Sequence, residues 1–210
     1  MAHNVEPPFT ALLIGGPSGV GKSTAAAALA RQLGMPWLQV DDLRLALQFG
    51  GLVPRERHPE LFFFLDRGER PVTPEAYRDG LIAVGRVIAG ALDIVVESHI
   101  ATGVPIVIEG DGILPDIAAR IVGTFGECQV RAVFIVEHDA EVLRANMLSR
   151  GRGIDPNAAQ QRQADMRGVA LFSDWIEREA RRHNLPMLAP TPWQSLARRI
   201  LSVTETQQTE

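Results

Sequence analysis

The sequence predicts a three-layer α/β fold built on a parallel sheet. Two patterns carry this expectation: short unbroken apolar runs alternate with segments of helical period, and a glycine-rich loop separates the first such run from the first such segment. An apolar run without polar alternation suits a strand covered on both faces, and each helical crossover returns the next strand in the same direction. In sheets of this kind ligands bind at the carboxyl ends of the strands, and the polar residues singled out below follow strand ends.

Residues 9–15 form the first predicted strand, which stops at Gly15 and Gly16. From Lys22 onward Ala25, Ala26, Leu29, Ala30 and Leu33 share one helical face until Gly34 and Pro36 end it. A second strand is expected over 37–40 and a helix over 42–49, followed by a proline- and charge-rich connection over 50–72. Thr73 and Pro74 start a long helix in which Leu81, Val84, Ile88, Leu92 and Val95 keep helical spacing down to about His99; its apolar surface serves either the core or a dimer face. Residues 105–109 and 131–136 read as further strands, and a helix over 139–149 follows the second of them. The stretch 157–184 is mostly helical, 185–188 is a weak last strand, and a helix over 193–203 closes the chain.

The 210 residues, 46% hydrophobic and 22% charged, suffice for one full core, so a single domain over 1–204 is expected with a frayed polar tail at 205–210. A net charge of -4 lacks the basic excess of broad nucleic-acid or membrane-surface binders, so an anionic substrate must rely on local arginines. No run approaches the roughly 18 apolar residues of a membrane span, and the amino terminus shows no apolar signal core; a cytoplasmic location is expected. The single cysteine, Cys128, excludes an internal disulfide and reads as core filler.

Residues Gly16, Pro17, Ser18, Gly19, Val20, Gly21, Lys22 and Ser23 fit G-x-x-x-x-G-K-[ST] in full, with a strand before and a helix after. The glycines let successive amides turn inward around phosphates, the helix adds its positive end, Lys22 reaches the terminal phosphates and Ser23 offers a hydroxyl to magnesium. Thr24 adds a contact to the phosphate nearest the sugar. Such a loop fixes a nucleoside triphosphate, ATP with Mg2+, without fixing the reaction. No N-K-x-D run reads guanine, and the D-x-x-G match at Asp165 falls in a helical region.

Asp41 and Asp42 follow the second strand, with Arg44 close behind. A carboxylate there orients or deprotonates an acceptor hydroxyl, or holds magnesium through water, and an arginine grips an anionic substrate. Asp41 is assigned the functional role and Asp42 the cap of the next helix. Glu109 ends a strand and enters a flexible turn of Gly110, Asp111 and Gly112, where a carboxylate supports metal or acceptor. Arg144, Arg150 and Arg152 border Gly151 and Gly153 on a segment able to close over the triphosphate; Arg144 and Arg150 are assigned to catalysis and Arg152 to the nucleotide. Phe62, Phe63 and Phe64 form either an acceptor wall or a buried anchor, and His99 is structural.

Taken together, IGGPSGVGKST at 14–24, DDLR at 41–44 and IVIEG at 106–110 resemble the 2-phosphoglycerate kinase-like small-molecule kinases and, more broadly, the shikimate kinase, zeta toxin and chloramphenicol phosphotransferase group. The resemblance implies a nucleoside-monophosphate-kinase-like fold with a five-stranded parallel sheet in the order 2-3-1-4-5, an acceptor-side insertion at about 50–73 and an arginine-bearing lid at about 144–156. It places Asp41 at the acceptor-side aspartate and residues 190–192 in the adenine-side loop. The expected activity is ATP-dependent phosphoryl transfer to a small hydroxylated, possibly anionic, metabolite by a monomer or homodimer. The alternative is an ATP-binding regulatory module or weak ATPase without a small-molecule acceptor.

Overall fold

A computed structural model describes residues 7–68, 70–149 and 159–205. Its sheet has five parallel strands in the order β2-β3-β1-β4-β5, where β1 is Ala11–Gly15, β2 Trp37–Gln39, β3 Ile106–Glu109, β4 Val130–Ile135 and β5 Met187–Leu188. This is the architecture that the sequence pattern predicts and the strand order that the resemblance implies. The helices are α1 (Lys22–Leu33), α2 (Val40–Phe49), α3 (Phe63–Arg67), α4 (Pro74–Thr102), α5 (Pro115–Phe125), α6 (Ala140–Ser149), α7 (Ala159–Arg182) and α8 (Leu196–Glu205).

The central strand shows why the runs are unbroken. Leu13 packs into one cluster with Val84, Ile88, Leu92 and Val96 of α4, Ile117 and Ile121 of α5, and Phe172 and Ile176 of α7. Its neighbours Leu12 and Ile14 point the other way, into a cluster with Ala26 and Leu29 of α1 and Leu196 and Ile200 of α8. Alternate side chains of one strand thus serve two layers, and a polar residue would be misplaced on either face. The apolar stripe of α4 is therefore core. That helix starts at Thr73, whose hydroxyl accepts from the Ala76 amide, with Pro74 next.

Several local expectations are corrected. The helix α2 starts at Val40 with Gln39 as its N-cap, so Asp42 is not a cap; it and Asp41 lie in the first turn, where acidic side chains favour the positive helix end. The connection over 50–72 contains a 3-10 turn, Pro59–Phe62, and α3, because Leu61 and Phe62 bury against α4. Helix α5 went unread although Pro115 opens it and Gly126 follows it; Ile117, Ala118 and Ile121 give it a buried face. Cys128 is exposed, in the turn before β4, and is not core filler. Thr204 is buried, its hydroxyl bonded to the Ile200 and Leu201 carbonyls and its own carbonyl accepting from the buried Arg131 guanidinium, so the chain is anchored to that point. Residues 206–210 lie outside the described residues.

Candidate functional site

The loop of residues 16–21 leaves the carboxyl end of β1 and turns into α1. Two of its glycines are obligatory for shape. Gly16 has φ 139°, and a Cβ there would stand 2.2 Å from the Ile135 carbonyl oxygen; Gly21 has φ 80°, and a Cβ would meet the Trp193 ring at 2.6 Å. Lys22 is buried and donates to the Pro17 carbonyl at 2.8 Å, which folds it back along the loop. Ser18 donates its hydroxyl to Asp111 at 3.0 Å, tying the loop to the turn after β3.

A small recess of about 40 Å3 lies at the mouth of the loop, lined by Ser18, Lys22, Ser23, Gln39, Asp41, Glu109, Gly110 and Asp111. Sequence residues from three strand ends therefore meet in one place. Glu109 is 3% exposed. Burial pushes its carboxyl above the usual range, Asp111 and Asp41 add to this, and Lys22 with the Ser23 hydroxyl bond pull it back. A divalent cation would relieve that penalty. The donors are all hard oxygens, as magnesium requires, and among the described residues no group of three or more His, Cys, Asp or Glu makes an all-protein cage. The residues fit a magnesium ion shared with phosphates.

Two larger cavities flank the recess. One, of about 490 Å3, lies beside Gly19, Gly21, Thr24, Ala25 and Ala28 and is closed by Asn146, Trp193, Gln194, Leu196 and Ala197. Asn146 also donates to the Gly19 carbonyl at 3.1 Å. The other, of about 210 Å3, is lined by Ser18, Val40, Asp41, Arg44, Phe64, Tyr77, Leu81, Val84, Ile88, Asp111 and Gly112. Ser18, Asp41 and Asp111 belong to both this cavity and the recess, so the two adjoin along a shared wall. Arg44 bonds Asp41 at 3.1 Å and Gln48 at 3.0 Å. Of the three adjacent phenylalanines Phe62 is core, and Phe64 reaches the cavity beside Tyr77, whose ring lies 5.1 Å away.

Not every candidate converges. Arg144 pairs with Glu141 at 2.8 Å and lines none of these cavities. Arg150 and Arg152 lie outside the described residues. Pro190 and Pro192 precede Trp193 rather than line the cavity themselves. Sequence reasoning missed Tyr77, Trp193 and Asn146. Tyr77 and Trp193 are aromatic residues next to helix starts, a signal shared with ordinary core residues, and Asn146 carried no signal at all. His99 bonds the Val104 carbonyl at 2.7 Å, a structural role.

A protein-family model for an AAA domain matches residues 12–178. No curated protein matches this chain. Among solved structures, a gluconokinase from Sinorhizobium meliloti 1021 is 17% identical, with 98% of this chain and 100% of that chain covered and a TM-score of 0.55. The shikimate kinase from Acinetobacter baumannii in complex with shikimate is 17% identical, covering 96% of each chain with a TM-score of 0.56. A shikimate kinase from Bacteroides thetaiotaomicron is 16% identical, with 96% and 99% covered and a TM-score of 0.52. At these identities the likeness is one of fold. No described helix is long and apolar enough to cross a membrane.

Proposed function

The chain belongs to the AAA domain family, and from that premise we propose that it is a cytoplasmic ATP-dependent kinase transferring the terminal phosphoryl group to an alcohol hydroxyl of a small metabolite. The observation that carries this reading is that the loop-mouth recess adjoins a second cavity, the two sharing Ser18, Asp41 and Asp111 as lining. A nucleotide-only switch needs one cavity, whereas transfer needs an acceptor space that opens onto the terminal phosphate. The shared fold of the gluconokinase and shikimate kinase structures supports a hydroxylated acceptor.

In this mechanism Lys22 and the loop amides bind the terminal phosphates, and Trp193 and Asn146 bound the space for the base. Ser23 and Glu109 would hold magnesium, which supplies charge neutralisation when bound. Asp41 orients the acceptor hydroxyl and takes its proton. The acceptor oxygen forms the new bond to phosphorus as the bond to the diphosphate oxygen breaks, and ADP leaves. Because this transfer is loose, positioning and charge neutralisation supply most of the rate. Asp111, fixed by Ser18, and Gly110 complete the acceptor side of the recess.

The test is ADP release by the purified protein with magnesium-ATP across a panel of hydroxylated metabolites. Stimulation by an acceptor, lost in Asp41→Asn, is expected. Tight ATP binding with no stimulation by any acceptor would instead identify a nucleotide-binding regulatory module.

A further inference from the structure

Resting on the kinase reading above, we propose that the acceptor is an uncharged alcohol with one apolar face, and that the cavity rejects alcohols carrying a carboxylate or phosphate. The cavity has two unlike walls: Phe64, Leu81, Val84 and Ile88 on one side, and Ser18, Asp41, Arg44 and Asp111 on the other. Its volume of about 210 Å3 lies below the roughly 300–1,000 Å3 of drug-sized sites, so it takes one ring or a short chain.

The charges decide the class. The lining holds two carboxylates, Asp41 and Asp111, and one guanidinium, Arg44. Arg44 is already matched: its Nε bonds Asp41 at 3.1 Å and a second nitrogen bonds Gln48 at 3.0 Å. Gln48 is itself buried and held by the Leu61 carbonyl at 2.5 Å, which fixes this arrangement to the insertion. The next guanidinium, Arg67, lies behind the aromatic wall, 5.1 Å from the Tyr77 ring centre and 5.8 Å from that of Phe64. Asp165 of α7 takes it with two bonds, at 3.0 and 2.7 Å, and both side chains are mostly buried.

Each described arginine at this cavity is thus paired with a carboxylate, and the described lining of cavity and recess together holds three carboxylates, Asp41, Glu109 and Asp111, against two cations, Arg44 and Lys22. Among the described residues an anionic acceptor would lose its water beside that carboxylate excess without gaining an unpaired arginine, whereas a hydroxyl can donate to Asp41 or Asp111 while a carbon face rests on Phe64.

The test uses hydroxy acids of three to seven carbons, each paired with its own amide. Binding is read by calorimetry on the full chain saturated with magnesium and a non-hydrolysable ATP analogue, and ADP release is read separately with ATP. The amide is expected to bind at least about tenfold more tightly than its acid, a difference of about 1.4 kcal/mol. In Asp165→Asn, which frees the Arg67 charge and leaves the phosphate loop untouched, the preference should shrink or invert. Tighter binding of the acids by the unmodified chain, or saturable binding by none of the amides, would overturn the proposal. Amides that bind without raising ADP release would instead overturn the kinase reading and leave the charge preference standing.

Discussion

The phosphate loop and the acceptor cavity sit within one bond of each other, joined by Ser18 and Asp111, yet they are built in opposite ways. The loop is the six consecutive residues 16–21 between β1 and α1, and its shape comes from backbone that only glycine adopts. The cavity borrows from α2, α3, α4 and the turn after β3, which are brought together only by the core. A site made of backbone tolerates change in its surroundings and almost none in itself. A site made of side chains from four elements can change its ligand without disturbing the fold, which suits a scaffold reused for many acceptors.

This contrast can be broken most directly at Lys22. Lys22→Ala should lower turnover by about 1,000-fold by removing charge stabilisation at the transferred phosphate, with acceptor binding unchanged. An equal loss of acceptor affinity would mean that the two regions act as one. A pair of truncations sharpens the contrast further. Trp193→Ala should raise the nucleotide KM about tenfold through lost stacking area, leaving the acceptor KM alone. Phe64→Ala should do the reverse by about the same factor, since its ring lines the acceptor side only. Steady-state kinetics with each substrate varied in turn checks both.

The smallest effect concerns the recess that the two regions share. Burial raises the folded-state pKa of Glu109, so the folded protein binds more protons than the unfolded chain between the ordinary carboxylate value and the raised one. Stability from this group is present below the ordinary value and is lost as pH rises through the raised one. Glu109→Gln should therefore raise the melting temperature of the nucleotide-free protein at pH 7 by about 2–4 °C for each 1 kcal/mol relieved, and the gain should vanish as pH falls. Turnover should drop at the same time, because Glu109 is the proposed ligand for magnesium.

The same difference in construction explains what the sequence disclosed. The phosphate loop was legible to the residue because spacing along the chain is its geometry. The strand pattern was legible because Leu12, Leu13 and Ile14 must all be apolar to serve two layers. Asp41, Arg44, Glu109 and Asp111 were found as strand-end residues, although only packing shows that the first two are paired. Tyr77 and Phe64 could not be separated from core aromatics, since their role depends on which element α4 packs against. Helix α5 does carry a period, since Ile117, Ala118 and Ile121 keep helical spacing, but its eleven residues sit in a stretch punctuated by Gly110, Gly112, Gly123 and Gly126 that reads as a connection.

Trp193 stands 39% exposed with its ring against Gly21, at the hinge between the phosphate loop and α1. Of the three tryptophans, Trp37 is at the far edge strand and Trp175 stacks on the buried Phe172. The chain therefore carries its own optical reporter. With Trp37 and Trp175 replaced by phenylalanine, the indole emission of Trp193 becomes a label-free titration signal for nucleotide, free of any acceptor contribution.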